Sequence, residues 1–424
     1  MKVFLFIYCI LFYSFGLSAQ PDSVYQSLIA RAGLFHLQGD YKNAITCYQQ
    51  AFQREKPDAL TAYKAAGMYS LAGNAEKALY YLNLSLSSGW TEADLLSLDP
   101  YFDFLRNSSS EKWHQLEEQA RLRESQYERT IQLPSLRKEI NLMTINDQKL
   151  RYQSAQAESD SAREKVSREI GKADLANMAR AKEIVLQYGW PAISQIGRDG
   201  QNNLWLIVQH ADHDILFQQQ ALRAMEKLEG TREINMENYA FLYDRVQCNL
   251  NYKQLYGTQV SWTHHGEASA FRPIENEYMT DELREKMGLQ PLRIYALTYG
   301  FVYHPIDIAQ SKKNDSDYIA QVRTLIDSAK LSYTRKEFQK TYDFYNTAST
   351  FLGGMSDDDN LEAAVIFSKI ALENNEDKYK SIALDFLDLL VLRGALTQAK
   401  TESEPAFKVL FSEQRWNDIS KKIK

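Results

Sequence analysis

The chain has 424 residues, 44% hydrophobic and 25% charged, close to the averages of folded proteins, which excludes both a wholly disordered chain and a membrane-embedded bundle. At roughly 100–200 residues per domain it holds two to four units. The formal net charge of -6, without a basic stripe, excludes a general nucleic-acid binder, because such a protein needs Lys and Arg to displace counterions from phosphates.

Met1 and Lys2 give a short basic start, Val3 to Phe15 is an apolar run, and Leu17-Ser18-Ala19 precedes Gln20. This is the three-part pattern of a secretory signal peptide at residues 1–19, and its apolar core falls short of the ~20 residues of a membrane span. Cleavage is expected after Ala19, sending the protein to the periplasm or the extracellular space; the alternative is an uncleaved anchor. Cys9 lies inside the apolar run without a lipobox before it, and no later segment has membrane length. Cys47 and Cys248 fall on helices of different expected domains and read as buried free thiols, since their spacing does not call for a disulfide.

Aligning the chain on itself at an offset of 34 brings Gly39 onto Gly73, Ala44 onto Ala78, Ala32 onto Ala66 and Phe35 onto Tyr69. Small residues at these spacings let two helices approach, and the glycines fall where a helix-turn-helix unit needs a left-handed residue. Pro57 stops the second helix of the first unit. From Tyr25 to about Leu86 the period and residue types resemble the tetratricopeptide repeat. That resemblance implies a concave face built by the first helices, here with Gln26, Ile29, His36, Tyr63 and Ser70, and a partner protein bound on it. The alternative is that these residues pack against the rest of the chain.

Two repeats leave an apolar face uncovered. Asp99-Pro100-Tyr101-Phe102, with Leu105 and Trp113, reads as the cap, and Glu404-Pro405-Ala406-Phe407, with Leu410 and Trp416, repeats that string near the C-terminus. Before the second cap, Ala329, Phe338, Thr341, Tyr345 and Ala348 fall on repeat spacings, and a more degenerate unit follows around Ala371, Ala383 and Phe386. Gly353 to Asn360 between them reads as a flexible acidic linker. The expected architecture is mainly α: residues 20–119 form a repeat pair plus cap, 120–300 a mostly helical central domain with a small β-hairpin, and 301–424 a second repeat-like pair plus cap.

Within the central region a charged helix runs from Glu111 to about Gln132 and is interrupted at Pro134; helix resumes with Ser135 as N-cap, carrying Asp147 and Arg151 four apart on one face. The stretch 153–169 is polar, as a solvated helix or an arm. Helices are expected to end at Gly189-Trp190-Pro191, to run from Trp205 to His210, from Ile215 to Leu228 and from Met236 to about Asn251. Tyr256 to Trp262 has strand character, His264-His265-Gly266-Glu267 makes a turn, and Ala270 to Ile274 returns. The strings Asp147-Gln148-x-x-Arg151, Gly189-Trp190-Pro191, Trp205-x-x-x-Gln209-His210-Ala211-Asp212, Asp244-Arg245, Tyr256-Gly257-Thr258-Gln259 and Arg284-x-x-x-Gly288-Leu289-x-Pro291-Leu292 together resemble an uncharacterised bacterial domain family over about Leu136 to Tyr295.

Polar groups inside helices need partners, so these residues are expected to meet in one place. A catalytic reading makes His210 a general base oriented by Asp212 or Asp244, with Arg151 or Arg245 stabilising an anion, Tyr256 or Gln259 holding substrate, and Asp147 and Gln209 completing the set, as in a hydrolase or transferase. The competing reading is a buried ion-pair network that fixes the fold. No cofactor is called for; zinc is a minor possibility through His210 and His213 with His264 and His265. Nucleophile-elbow, phosphate-loop and dinucleotide signatures are missing from the sequence. Two functions stand at this point: an exported scaffold or adaptor that binds a protein through its repeats, or an enzyme that the repeats recruit.

Overall fold

The computed structural model describes residues 23–423. The signal peptide expected at residues 1–19 therefore lies outside the described residues. Within them the chain is mainly helical with one two-stranded sheet, and no helix is long and apolar enough to cross a membrane. The chain divides into two compact units whose segments alternate along the sequence. The first takes the described residues up to Tyr243 with Val260–Ala270 and Asp281–Pro305; the second takes Asp244–Gln259, Phe271–Thr280 and the chain from Ile306 onward.

The first unit opens with two helical hairpins, α1 (Ser23–Leu37) on α2 (Tyr41–Phe52) and α3 (Ala59–Leu71) on α4 (Ala75–Ser87). The second hairpin restates the first 34 residues on: Leu37 and Leu71 end the first helices, Tyr41 and Ala75 begin the second ones, and Gly39 and Gly73 both turn the chain at φ +74°. That left-handed backbone carries no Cβ penalty at glycine, which lets the chain reverse within three residues. The next residue, Asp40 or Asn74, caps the following helix by accepting the amide of Asn43 or Lys77. Ala32, Ala44, Ala66 and Ala78 are fully buried, so the helix backbones come close together.

Three short elements and a longer helix cover the open side of the second hairpin: α5 (Ala93–Leu98), a 3-10 turn at Pro100–Phe102, α6 (Asp103–Ser108) and the longer α7 (Ser110–Glu128). Phe102, Leu105 and Trp113 join Tyr63, Tyr69 and Leu82 in one core. The turn starts where Asp99 accepts the Tyr101 amide at 2.9 Å and Pro100 has no amide to lose.

Five helices follow: α8 (Pro134–Gln156), α9 (Asp160–Tyr188), α10 (Ile193–Gln209), α11 (Ile215–Glu226) and α12 (Met236–Asn249). Pro134 is the first residue of α8 rather than a break before it, and Ser135 is not the cap; proline is preorganised for this position, where an amide would have no partner. The polar stretch 153–169 ends α8 and begins α9, which Ser159 caps. Gly189, at φ +69°, ends α9. The hairpin is β1 (Val260–Trp262) with β2 (Ala268–Phe271), the return strand starting two residues before Ala270. The unit closes with α13 (Thr280–Lys286) and α14 (Leu292–Thr298), which packs on α1.

The second unit is built on α15 (Ile308–Thr334) paired with α16 (Phe338–Thr350), and α17 (Asp357–Asn374) paired with α18 (Asp377–Leu392). Here the left-handed turn residues are Lys336 (φ +59°) and Asn375 (φ +53°), and the second helices start at Phe338 and Asp377, 39 residues apart instead of 34. After α19 (Gln398–Glu402), a 3-10 turn at Pro405–Leu410 and α20 (Gln414–Ser420) bring Phe407, Leu410 and Trp416 into the core of Tyr345, Phe367 and Leu387. Glu404 accepts the Ala406 amide at 3.0 Å ahead of Pro405, the same device as Asp99 ahead of Pro100.

The acidic run expected as a flexible linker is instead a helix start. Ser356 caps α17, and Asp357, Asp358 and Asp359 occupy its first turn, where the helix dipole favours negative charge. Asp357 also pairs with Arg393 at 2.9 Å. That arginine side chain has no exposed surface: it donates to the carbonyls of Leu250, Asn251 and Met355 and stacks on Tyr252 at 4.1 Å.

Candidate functional site

Arg151, one turn after Asp147 on α8, turns its guanidinium back onto that carboxylate, with Nε 3.1 Å from Oδ2 and Nη2 2.9 Å from Oδ1. Nη2 also lies 2.7 Å from Asp174 Oδ1 on α9 and 3.0 Å from His210 Nδ1 at the end of α10. Gln148 holds the other side of Asp147, donating to Oδ2 at 2.7 Å. The Asp147, Arg151 and His210 side chains are 4%, 9% and 10% exposed, and Asp174 is the open edge at 23%. Burial pushes the Asp147 carboxyl up, but His210 and Arg151 outweigh it and hold the group well below the usual carboxylate range. Asp174 is raised to about 6 by burial; Arg151 pulls it down and Asp147 pushes it up.

Residues 134–303 match the model of a family of unknown function, DUF6624. No curated protein and no solved structure matches the chain. The family segment starts at the first residue of α8 and includes Asp147, Arg151, Asp174 and His210, so the cluster is the family segment's own. It brings two of the sequence strings together, one from α8 and one from α10, through a second carboxylate, Asp174 on α9, that no string contains. Nothing in the sequence around Asp174 marks it; only the packing of α9 on α8 reveals it.

A base needs a free lone pair, and the Nδ1 lone pair of His210 faces a guanidinium in a nearly closed pocket. In this geometry Asp147, Arg151, Asp174 and His210 form a paired network. Asp212 is exposed and accepts from Gln218 at 3.3 Å. Gln209 is 9% exposed and its side-chain oxygen has no hydrogen-bond partner among the described residues.

Asp244, Arg245, Tyr256 and Gln259 belong to the second unit. There the buried Asp244 carboxylate accepts the amides of Leu255, Tyr256 and Thr258 at 2.8 to 3.2 Å, organising the loop before β1. Burial raises its pKa and the amides pull it back. Gln259 donates to Thr258 Oγ1 at 3.0 Å. The candidate orienter of an imidazole is thus a loop organiser.

Among the described residues, Asp147, Asp174 and His210 are the one set of three His, Cys, Asp or Glu side chains whose ligand atoms all lie within 4.8 Å of one another. The set of His210, His213, His264 and His265 considered from the sequence does not form such a group: His213 is exposed, as are His264 and His265 at the hairpin turn.

On the repeat face the structure corrects the expected binding surface. Gln26, Ile29, Tyr63 and Ser70 are at most 6% exposed, and His36 is half-buried against Tyr101, Nε2 to hydroxyl 2.8 Å. Tyr63 stacks on Trp90 at 4.2 Å and donates to Asp99 at 2.8 Å. What stays open is a narrow cleft whose lining includes His36, Tyr63, Lys64, Met68, Trp90 and Tyr101. A second narrow cleft shares Leu95, Asp99 and Tyr101 with it and reaches Ile145, Gln148 and Tyr152. Burial and the neighbouring Lys64 lower His36 to about 4, leaving a neutral ring at neutral pH. Asp99 is pushed up to about 6 by burial against the Tyr101 amide and Tyr63 hydroxyl. Of the residues expected to bind a partner, only His36 and Tyr63 line the cleft; Lys64, Trp90 and Tyr101 were not singled out as binding residues.

A second buried network, also unmarked in the sequence, joins the repeat cap to the family segment. Arg137, with no exposed surface, meets Asp199 at 2.6 Å, Glu124 at 3.1 Å and the Thr91 carbonyl at 2.9 Å, and lies over Tyr127. Asn141 donates to Asp199 at 3.0 Å, and Asn203 donates to Asn141 at 2.9 Å and to Glu92 at 3.3 Å. Burial, then Asp199, pushes Glu92 up to about 8.

Proposed function

We propose that this is an exported tetratricopeptide-type protein that binds a segment of a partner protein in the cleft between α1, α3 and the cap, with the family segment as the platform that completes the cleft. The carrying observation is the double cleft itself: it lies on the face where first helices of such repeats present ligands, and its second half is walled by α8. The 34-residue restatement of the helix hairpins supports the repeat assignment. The basic start and apolar run of residues 1–19 support export. Apolar walls from Met68, Leu95 and Trp90 with Lys64 beside them suit an extended segment that presents an apolar side chain next to a carboxylate. The polar cluster serves as a paired network in this reading, and His210→Ala is expected to leave partner binding within about twofold.

The test is site-specific photocrosslinking in the native host. A photoreactive side chain at position 64 is expected to give a discrete protein adduct that is removed by Leu60→Asp, a change in the lining of the same cleft. The same probe at Lys42, an exposed position on α2, is expected to give none. Identical adducts from the two positions would retire the reading.

A further inference from the structure

We propose that Asp147, Asp174 and His210 form a divalent transition-metal site that Arg151 holds closed, its Nη2 nitrogen standing where the ion would sit. This goes beyond the partner-binding reading and uses different residues. The donor set is one imidazole nitrogen and two carboxylate oxygens, which suits zinc, manganese or ferrous iron better than calcium or magnesium.

Two observations carry the argument. The three ligand atoms already converge on one point, lying 2.9, 2.7 and 3.0 Å from Nη2. Bonds to zinc from such ligands are about 2.0–2.2 Å, so contraction by less than about 1 Å at each ligand suffices once the guanidinium withdraws. Finally, the surroundings are those of a supported ligand shell. Gln148 fixes Asp147 Oδ2 at 2.7 Å and leaves Oδ1 to point inward, as ligating carboxylates are commonly held. Asp174 is the most exposed member and gives the ion its way in. Arg151 keeps contact with Asp147 through Nε when Nη2 is displaced, so ion and guanidinium compete for one position without the arginine leaving its helix face.

Competition gives a signature that a plain ion-pair network lacks. The mature full chain, stripped with a chelator, is titrated with cobalt(II), a zinc surrogate whose visible absorption reports low-symmetry nitrogen and oxygen ligation, and with zinc by calorimetry. The wild type is expected to bind one equivalent. Asp174→Asn and His210→Gln are expected to weaken binding tenfold or more, and Arg151→Gln to tighten it. Absence of binding by the wild type overturns the proposal whatever Arg151→Gln does, and so does binding that Asp174→Asn leaves unchanged. Should Arg151→Gln fail to fold by circular dichroism, the comparison of wild type with Asp174→Asn decides alone.

Discussion

At the scale of single residues, Gly197 shows how tightly the buried Arg137 network constrains the backbone. It bends α10 at φ +75°, and a Cβ there would lie 2.5 Å from the Tyr127 hydroxyl and 2.6 Å from Asp199 Oδ1. Gly197→Ala combines a left-handed alanine with overpacking and is expected to cost about 3 kcal/mol. Urea denaturation of the two proteins checks this, and a loss under about 1 kcal/mol would contradict it. Glu237 supplies a pH dependence. Burial pushes it from 4.5 up to about 8, although Arg198 and Arg284 pull it down. A carboxyl raised in the folded state keeps its proton there while the unfolded chain has released it. Its contribution is therefore complete below the unfolded value and is lost as pH rises through the folded one. Stability is expected to fall from about pH 4.5 to about 8, and Glu237→Gln to flatten that fall in Tm measured across the same range. Asp147 and Arg151 were legible as a pair because helical spacing alone brings residues four apart together. Asp174 and Arg137 were not, since their partners come from other helices and no local pattern encodes that meeting.

At the scale of elements, the four hairpins use one turn geometry with different residues. Gly39 and Gly73 meet it without strain, Asn375 tolerates it, and Lys336 pays about 1 kcal/mol or more for a Cβ in the left-handed region. Lys336→Gly is therefore expected to stabilise the second unit by up to about 1 kcal/mol, and Gly73→Ala to destabilise the first by a similar amount. Thermal melting of each variant tests the pair of signs; a Lys336→Gly protein that melts lower than wild type would refute the strain argument. Glycine at a 34-residue interval is what made the first two hairpins readable from sequence. The Lys336 and Asn375 turns and the 39-residue interval explain why the later pair was fainter. The misreading of Asp357–Asn360 as a linker has a similar origin: an acidic run beside two glycines resembles a solvated loop until Ser356 is seen to cap it. Apolar patterning showed which helices pack but not what packs on them. Thus Gln26, Ile29 and Ser70 were expected at an open face that the folded chain buries.

At the scale of the whole molecule, the second unit depends on one buried cation. Arg393 ties the start of α17 to the carbonyls of Leu250 and Asn251, and its removal leaves these acceptors and Asp357 without that partner. Arg393→Ala is expected to destabilise that unit by about 3–5 kcal/mol. Hydrogen exchange should show faster exchange in the loop 250–259 and at the start of α17. Protection unchanged in both segments would show that the arginine is dispensable. The alternation of the two units along the chain has a consequence for biogenesis. Synthesis proceeds from the N-terminus at about 5–20 residues per second, yet the first unit is incomplete until residue 305 has emerged, and the segment 244–259 must wait for the helices after Ile306. For many seconds the nascent chain therefore carries half-built surfaces of both units.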